Sequence, residues 1–189
     1  HERGFVWIRL TDSYDRAINL QRQLTRQASA VVSYRRDLAV SLNNLGQAQQ
    51  QLGDMSAAPA SFAAAREIVA LLVSDYSDEL TFRSLYGAVL NNQGMALEKV
   101  GGIEDALAAF ELAIVNQKIA YERAPQVAEY REFLSKHYFN YGRALRTAGK
   151  PAKAAAIALE RRKLWPEHGE HLGQIAVELA QAATQLREQ

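Results

Sequence analysis

The chain has 189 residues, 48% of them hydrophobic and 23% charged, with a formal net charge of +1 and no cysteine. That composition suits one globular domain or a short repeat array, and it excludes disulfides, thiolate metal sites and cysteine nucleophiles. The near-neutral balance argues against nucleic acid, which calls for a strongly basic face, and no apolar run approaches the roughly 20 residues of a membrane-spanning helix. Neither a nucleic-acid nor a membrane partner is therefore expected, and a cysteine-free chain fits a reducing, cytoplasmic location. The sequence opens on His1 rather than methionine, so we read it as a piece of a longer protein, with a tag remnant as one source of that residue.

A period of 48 residues runs through the chain: Tyr34-Arg35, Phe82-Arg83 and Tyr130-Arg131 share it. So do Asn44, Asn92 and Asn140, then Gly46, Gly94 and Gly142, then Gly53, Gly101 and Gly149, then Ala58, Ala106 and Ala154. Phe62 and Phe110 follow suit, with Ala158 in the third copy. Such a period marks a repeat architecture.

In chain order, Tyr14 and Ala17 lie one period before Phe62 and Ala65. Residues 12–27 are thus predicted as the second helix of a partial leading repeat, which spans 1–33. Repeat one (34–81) opens on a helix striped by Leu38, Leu42, Leu45 and Leu52. Gly53 should stop it in the left-handed conformation. Pro59 must lie in the first turn of the next helix, which is expected to start near Ser56 and to carry Phe62, Ala65, Ile68 and Leu72. Repeat two (82–129) gives Leu85, Val89, Leu97 and Val100, then Phe110, Ala113 and Ile114. Repeat three (130–166) gives Leu134, Tyr138, Tyr141 and Leu145, then Pro151 at a helix start, Ile157 and Leu164. Residues 167–189 are expected to form a capping helix with Ile175, Leu179, Ala182 and Leu186 on one face, covering the end of the stack. Trp7 and Trp165 are expected in the core near the two ends. Glycine inside a helix costs about 1 kcal/mol relative to alanine, so Gly46, Gly94 and Gly142 are read as points of close helix approach, helped by Ala58, Ala106 and Ala154.

The spacing Leu45-Gly46, Gly53, Ala58, Phe62, Ala65 resembles the tetratricopeptide repeat, and the second copy keeps Gly94, Gly101, Ala106, Phe110 and Ala113. The third departs at Ala158 and Arg161, where an aromatic and an alanine are usual, as a terminal repeat would. The 48-residue period exceeds the usual value of about 34, so both helices must be long. Leu42-Asn43-Asn44-Leu45-Gly46 resembles the kinesin-light-chain branch of that family. The stretches Tyr34-Arg35-Arg36-Asp37-Leu38-Ala39 and Glu160-Arg161-Arg162-Lys163-Leu164-Trp165-Pro166 are similar to the C-terminal repeat regions of planctomycete-type serine/threonine protein kinases. The resemblance implies an all-α, right-handed solenoid of helix pairs and a protein-interaction scaffold. It places any kinase domain upstream, since no phosphate loop, catalytic loop or metal-binding kinase motif stands here. No enzyme activity and no cofactor are expected of this chain.

The same resemblance puts the first helices along a concave groove. Its columns fall on Val40, Asn43, Asn44, Gln47, Gln50 and Gln51, on Ala88, Asn91, Asn92, Met95, Glu98 and Lys99, and on Lys136, Phe139, Asn140, Arg143, Arg146 and Thr147. An asparagine amide both donates and accepts, so Asn44, Asn92 and Asn140 are candidates to hold an extended peptide; the alternative is that they bond neighbouring helices. Asn92 and Lys136 match two columns of the family's carboxylate clamp, and Asn43, Gln47 and Asn140 depart from the other three. Residues 67–122 hold three Lys/Arg against nine Asp/Glu, and residues 123–163 hold ten against three. The expected partner is therefore a protein or peptide with an acidic segment near Lys136, Arg143 and Arg146, or else the chain is a spacer that self-associates head to tail. His168 and His171 invite a zinc site, but Pro166 and Gly169 place them in a loop or at a helix start, no distant ligand is evident, and no metal is expected. His137, beside Tyr138-Phe139, is read as a surface or packing residue.

Overall fold

The computed structural model describes the backbone of residues 2–188 and the side chains of residues 13–188. Trp7 lies outside the described side chains. The described residues form helices joined by short turns: α1 (Glu2–Gln27), α2 (Val32–Leu52), α3 (Ala58–Asp75), α4 (Leu80–Lys99), α5 (Ile103–Arg123), α6 (Ala128–Thr147), α7 (Pro151–Lys163) and α8 (Gly169–Arg187). The fold is an all-α solenoid.

Each helix packs on the next, and α2, α4, α6 and α8 also approach one another in order, whereas α1, α3, α5 and α7 do not. The two layers thus differ in spacing: the even-numbered helices crowd together on the inner, concave side, and the odd-numbered ones splay outside. Apolar side chains fill the space between layers. Ile18, Leu38, Leu42, Leu45, Ala65, Val69 and Val89 form one cluster, and Leu107, Phe110, Tyr141, Ala144, Leu145 and Ala154 form another one repeat further on.

Three glycines end the inner helices with left-handed backbone, at φ 81° for Gly53, 88° for Gly101 and 68° for Gly149. Behind each, the following amide reaches back to a carbonyl five residues earlier: Asp54 to Gln49 at 2.9 Å, Gly102 to Leu97 at 2.9 Å, Lys150 to Leu145 at 2.8 Å. These bonds satisfy carbonyls the helix end leaves open. They also turn the chain the same way three times, which keeps the layers in register.

Two of the glycines inside the helices are points of close approach to the paired helix, as expected. A methyl group at Gly46 would lie 2.8 Å from the Phe62 ring, and one at Gly94 would lie 2.8 Å from the Phe110 ring. The nearest atoms at both positions are those of the aromatic ring. Gly142 has no such neighbour, since Ala158 stands in the phenylalanine column; its nearest atom is Ile157 Cγ2 at 3.8 Å.

Three further details depart from the sequence pattern. Helix α3 starts at Ala58 rather than near Ser56, because the Asp54 carboxylate accepts from the Ala57 amide at 3.2 Å and from the Ser56 hydroxyl, holding those residues in a turn. Val100 is 49% exposed instead of lying on the core stripe, since α4 ends at Lys99. On α8 Leu186 is 45% exposed, and the covered face runs through Ile175, Glu178 and Ala182.

Candidate functional site

The even-numbered helices present Asn43 and Gln47 from α2, Asn91 and Asn92 from α4, and Lys136 from α6 to a single cavity of about 320 Å³. Gln50, Gln51, Ala88 and Met95, which also stand in the groove columns, line it as well. A period that repeats every 48 residues returns the same helix face each time, which is why side chains so far apart in sequence meet here.

The asparagines do two things at once. Asn92 Nδ2 donates to Asn43 Oδ1 at 3.0 Å. One repeat further on, Asn140 Nδ2 donates to Asn91 Oδ1 at 2.9 Å and approaches Met95 Sδ at 3.5 Å. Each rung ties one inner helix to the next, so Asn92 and Asn140 bond neighbouring helices, the alternative reading of that column. The consequence for the cavity is electronic. The oxygens of Asn43 and Asn91 each accept a rung bond and their NH2 groups make no bond within the described residues, while Asn92 spends its NH2 on the rung and keeps its oxygen unbonded, so the amide walls offer donors and an acceptor side by side. Asn140 is buried in its rung and does not line the cavity, and neither does Asn44. The ladder stops at α6, where Phe139 replaces the accepting asparagine.

The cations expected in the groove part company. Lys136 is exposed and lines the cavity. Arg143 instead binds Glu98 at 2.6 Å, and Arg146 lies away from the cavity with Glu178 in electrostatic reach. The basic stretch 123–163 and the acidic stretch 67–122 meet within the chain: Lys150 reaches Glu104 at 2.9 Å and Arg123 reaches Asp78 at 3.2 Å. Pairs this exposed contribute little to stability.

Two lining residues escaped the sequence reading, Phe133 and His137. His137 occupies the column of Ser41 and Val89, and a titratable residue in a column that holds a fully buried valine was the available signal. It is 2% exposed, and neither ring nitrogen has a partner among the described residues. Burial, reinforced by the charge of Lys136, lowers its pKa to about 3, so the imidazole is neutral near pH 7.

No family model matches the chain, and no curated protein matches it in sequence. Solved structures do match. The chain is similar to BtubC (BKLC) from P. vanneervenii, with 14% identity over 96% of this chain and 89% of that one and a TM-score of 0.39. It is similar to the TPR2AB-domain:pHSP90 complex of yeast Sti1, with 14% identity over 91% and 80% and a TM-score of 0.38. A tetratricopeptide repeat protein from Parabacteroides merdae gives 12% identity over 91% and 99%, with a TM-score of 0.20. Likenesses this distant carry no argument about the groove, whose reading rests on the chain's own residues.

At the C-terminal end the histidines pack on a tryptophan. His171 stacks on Trp165 with ring centroids 3.9 Å apart, His168 meets the same ring edge-on at 5.4 Å, and the Arg131 guanidinium lies 4.3 Å from it. Trp165 is buried, as expected, and donates to Ser135 Oγ at 3.0 Å. Among the described residues no group of three or more His, Cys, Asp or Glu side chains is arranged to hold a metal ion, and no helix is long and apolar enough to cross a membrane.

Proposed function

We propose that the chain is a protein-interaction module of tetratricopeptide type that holds an extended segment of a partner protein along α2, α4 and α6. The observation that carries this reading is the amide-lined cavity. Asn43 and Asn91 are fixed through their oxygens and offer NH2 groups at matching positions on successive helices. An extended peptide presents backbone carbonyls as acceptors along its length, and amides fixed in advance lose little entropy in meeting them. Lys136, exposed at the cavity edge, favours an acidic residue of the partner there. The parent would be a larger kinase-like bacterial protein whose catalytic domain lies outside this sequence, and the repeat chain alone is then expected to show no ATP turnover.

The test is a displayed-peptide selection against the chain beside its Gln47→Ala/Lys136→Glu variant. Both side chains are exposed and line the cavity without holding the helices together, so the variant keeps the fold. Peptides enriched on the parent should bind the variant at least about tenfold more weakly, a difference of roughly 1.4 kcal/mol. Absence of enrichment, or equal binding to both proteins, overturns the reading.

A further inference from the structure

Helix α8 has two sides of different character. Ile175, Glu178 and Ala182 are buried against the stack, and among the described residues α8 packs on α7 and α6 alone. The opposite side is open to water. There Glu170, Gly173, Val177, Ala180, Thr184 and Arg187 recur at steps of three and four residues, and all are exposed, Val177 at 56%. A helix that ends a stack needs a polar outer face to stay soluble. Here residues 171–186 contain no Lys, Arg or Asp, and their one Glu is the buried Glu178. Gly173 stands inside the helix, where glycine is unfavourable, and nothing lies within 4 Å of the point where a side chain would begin. No contact within the described residues accounts for that glycine.

We propose that this face pairs with the same face of a second copy of the chain, the two α8 helices running antiparallel about a two-fold axis. The pattern of steps is the same read in either direction. An axis between Glu178 and Leu179 sets Val177 against Ala180 of the partner subunit, Gly173 against Thr184 of the partner subunit, and Glu170 against Arg187 of the partner subunit. Two-fold symmetry makes each of these contacts twice. Steps of three and four are those of helices packed side by side, and glycine and alanine let the two backbones come close. Charge sets the direction. A parallel pair would place Glu170 beside its own copy and Arg187 beside its own copy. The antiparallel pair joins opposite charges at both ends and lays each helix N-terminus beside the other's C-terminus. Arg161 on α7 binds Glu178 on the inner side, so α8 presents the seam from a fixed position. A seam one helix wide is small for a permanent complex, and the dimer dissociates on dilution. Being two-fold, it closes on itself, whereas a head-to-tail contact would continue into a filament. This inference does not depend on the groove.

The test is sedimentation equilibrium of the full chain from low micromolar to submillimolar concentration, where a monomer–dimer equilibrium is expected. Ala180→Glu brings a carboxylate from each copy to the middle of the seam and should weaken association by at least about tenfold. An unchanged thermal melt of the dilute protein shows that this exposed substitution leaves the fold intact. Glu170→Lys and Arg187→Glu, each alone, put like charges together at both ends and should weaken association by about threefold. Mixed in equal amounts, these two variants should associate as tightly as the native chain, because each mixed pair again joins opposite charges. A chain that stays monomeric throughout would overturn the pairing and leave the face to a further segment of the parent or to another protein. A dimer indifferent to Ala180→Glu would overturn the seam. Single charge variants that pair as well as the native chain, or a mixture no tighter than either alone, would overturn the antiparallel arrangement.

Discussion

The helix pairs inside the array and the one that ends the stack are built from the same columns with opposite chemistry. Inside the array, Ala65 and Ala113 are fully buried, and Phe62 and Phe110 press their rings onto Gly46 and Gly94. At the end, Ala158 stands where the ring would be and Arg161 replaces the alanine. Arg161 is 4% exposed, and it binds Glu178 of α8, Gln174 Oε1 at 2.9 Å and Ser135 Oγ at 3.0 Å, with Phe139 5.3 Å from its guanidinium carbon. The arginine that breaks the repeat pattern is the anchor of the capping helix. An internal interface gains stability by excluding water from apolar surface; the terminal one adds a directional pair between α7 and α8.

The sharpest way to break that comparison is to remove one partner of the buried pair. Glu178→Ala should destabilise the chain by about 3–5 kcal/mol by leaving the guanidinium enclosed without its counter-charge, read as a lower urea midpoint and faster amide exchange along α8. The carboxyl of Glu178 is itself pushed up, since desolvation outweighs the pull of Arg161. A joint Arg161→Met/Glu178→Leu replacement should therefore recover most of the loss. If the double variant were as unstable as the single one, the pair would be contributing net stability rather than specificity.

Next in size is the contrast between a glycine that faces a ring and one that does not. Gly94→Ala forces a methyl group into the Phe110 ring and should cost about 1–3 kcal/mol. Thermal unfolding of Gly94→Ala and Gly94→Ala/Phe110→Leu would show whether the ring is the cause, because the smaller side chain should relieve part of the penalty.

His137 separates α6 from α4 by pH. Its folded pKa of about 3 lies below the usual value near 6.5, so between those values the unfolded chain binds more protons than the folded one. The contribution is fully present above pH 6.5 and falls by about 1.4 kcal/mol for each pH unit below it. Denaturant melts from pH 7 to 5 should show this slope in the difference between the native chain and His137→Val, a comparison that cancels the carboxylates common to both. Parallel stability curves for the two proteins would mean that the imidazole finds a way to keep its proton.

What the sequence made legible follows from range. The left-handed glycines, the helix pairs and a last helix covering the end of the stack are local or periodic signals, and the structure has them, the last as α8 (Gly169–Arg187). The ring against Gly46 was not legible, although both columns stood in the period, because periodicity gives which residues recur and not which columns touch. The asparagine rungs join residues 49 apart, one more than the period. That offset comes from how adjacent inner helices slide along each other, which no single helix encodes. The face of α8 shifted from Leu186 to Glu178 for a related reason: hydrophobicity alone assigns an acid to solvent, and only the position of Arg161 draws it inside. Of the residues that line the cavity, Asn43, Gln47, Asn91, Asn92 and Lys136 stand in columns the sequence singled out, and the imidazole beside them does not.

The smallest expected effect bears on the third repeat alone. Gly142 sits in the same column as Gly46 and Gly94, yet a methyl group there would find its nearest neighbours at 3.8 Å and 3.9 Å, an ordinary packing distance. Without the ring, the glycine retains its entropic cost inside a helix and no compensating contact. Gly142→Ala should therefore stabilise the chain by about 0.5–1 kcal/mol, the opposite sign from Gly94→Ala. A paired measurement of the two melting midpoints decides the matter by direction rather than size. A loss of stability in both would place the demand for glycine in the backbone of the inner helices, and opposite signs would assign it to Phe62 and Phe110, the rings that the third repeat lacks.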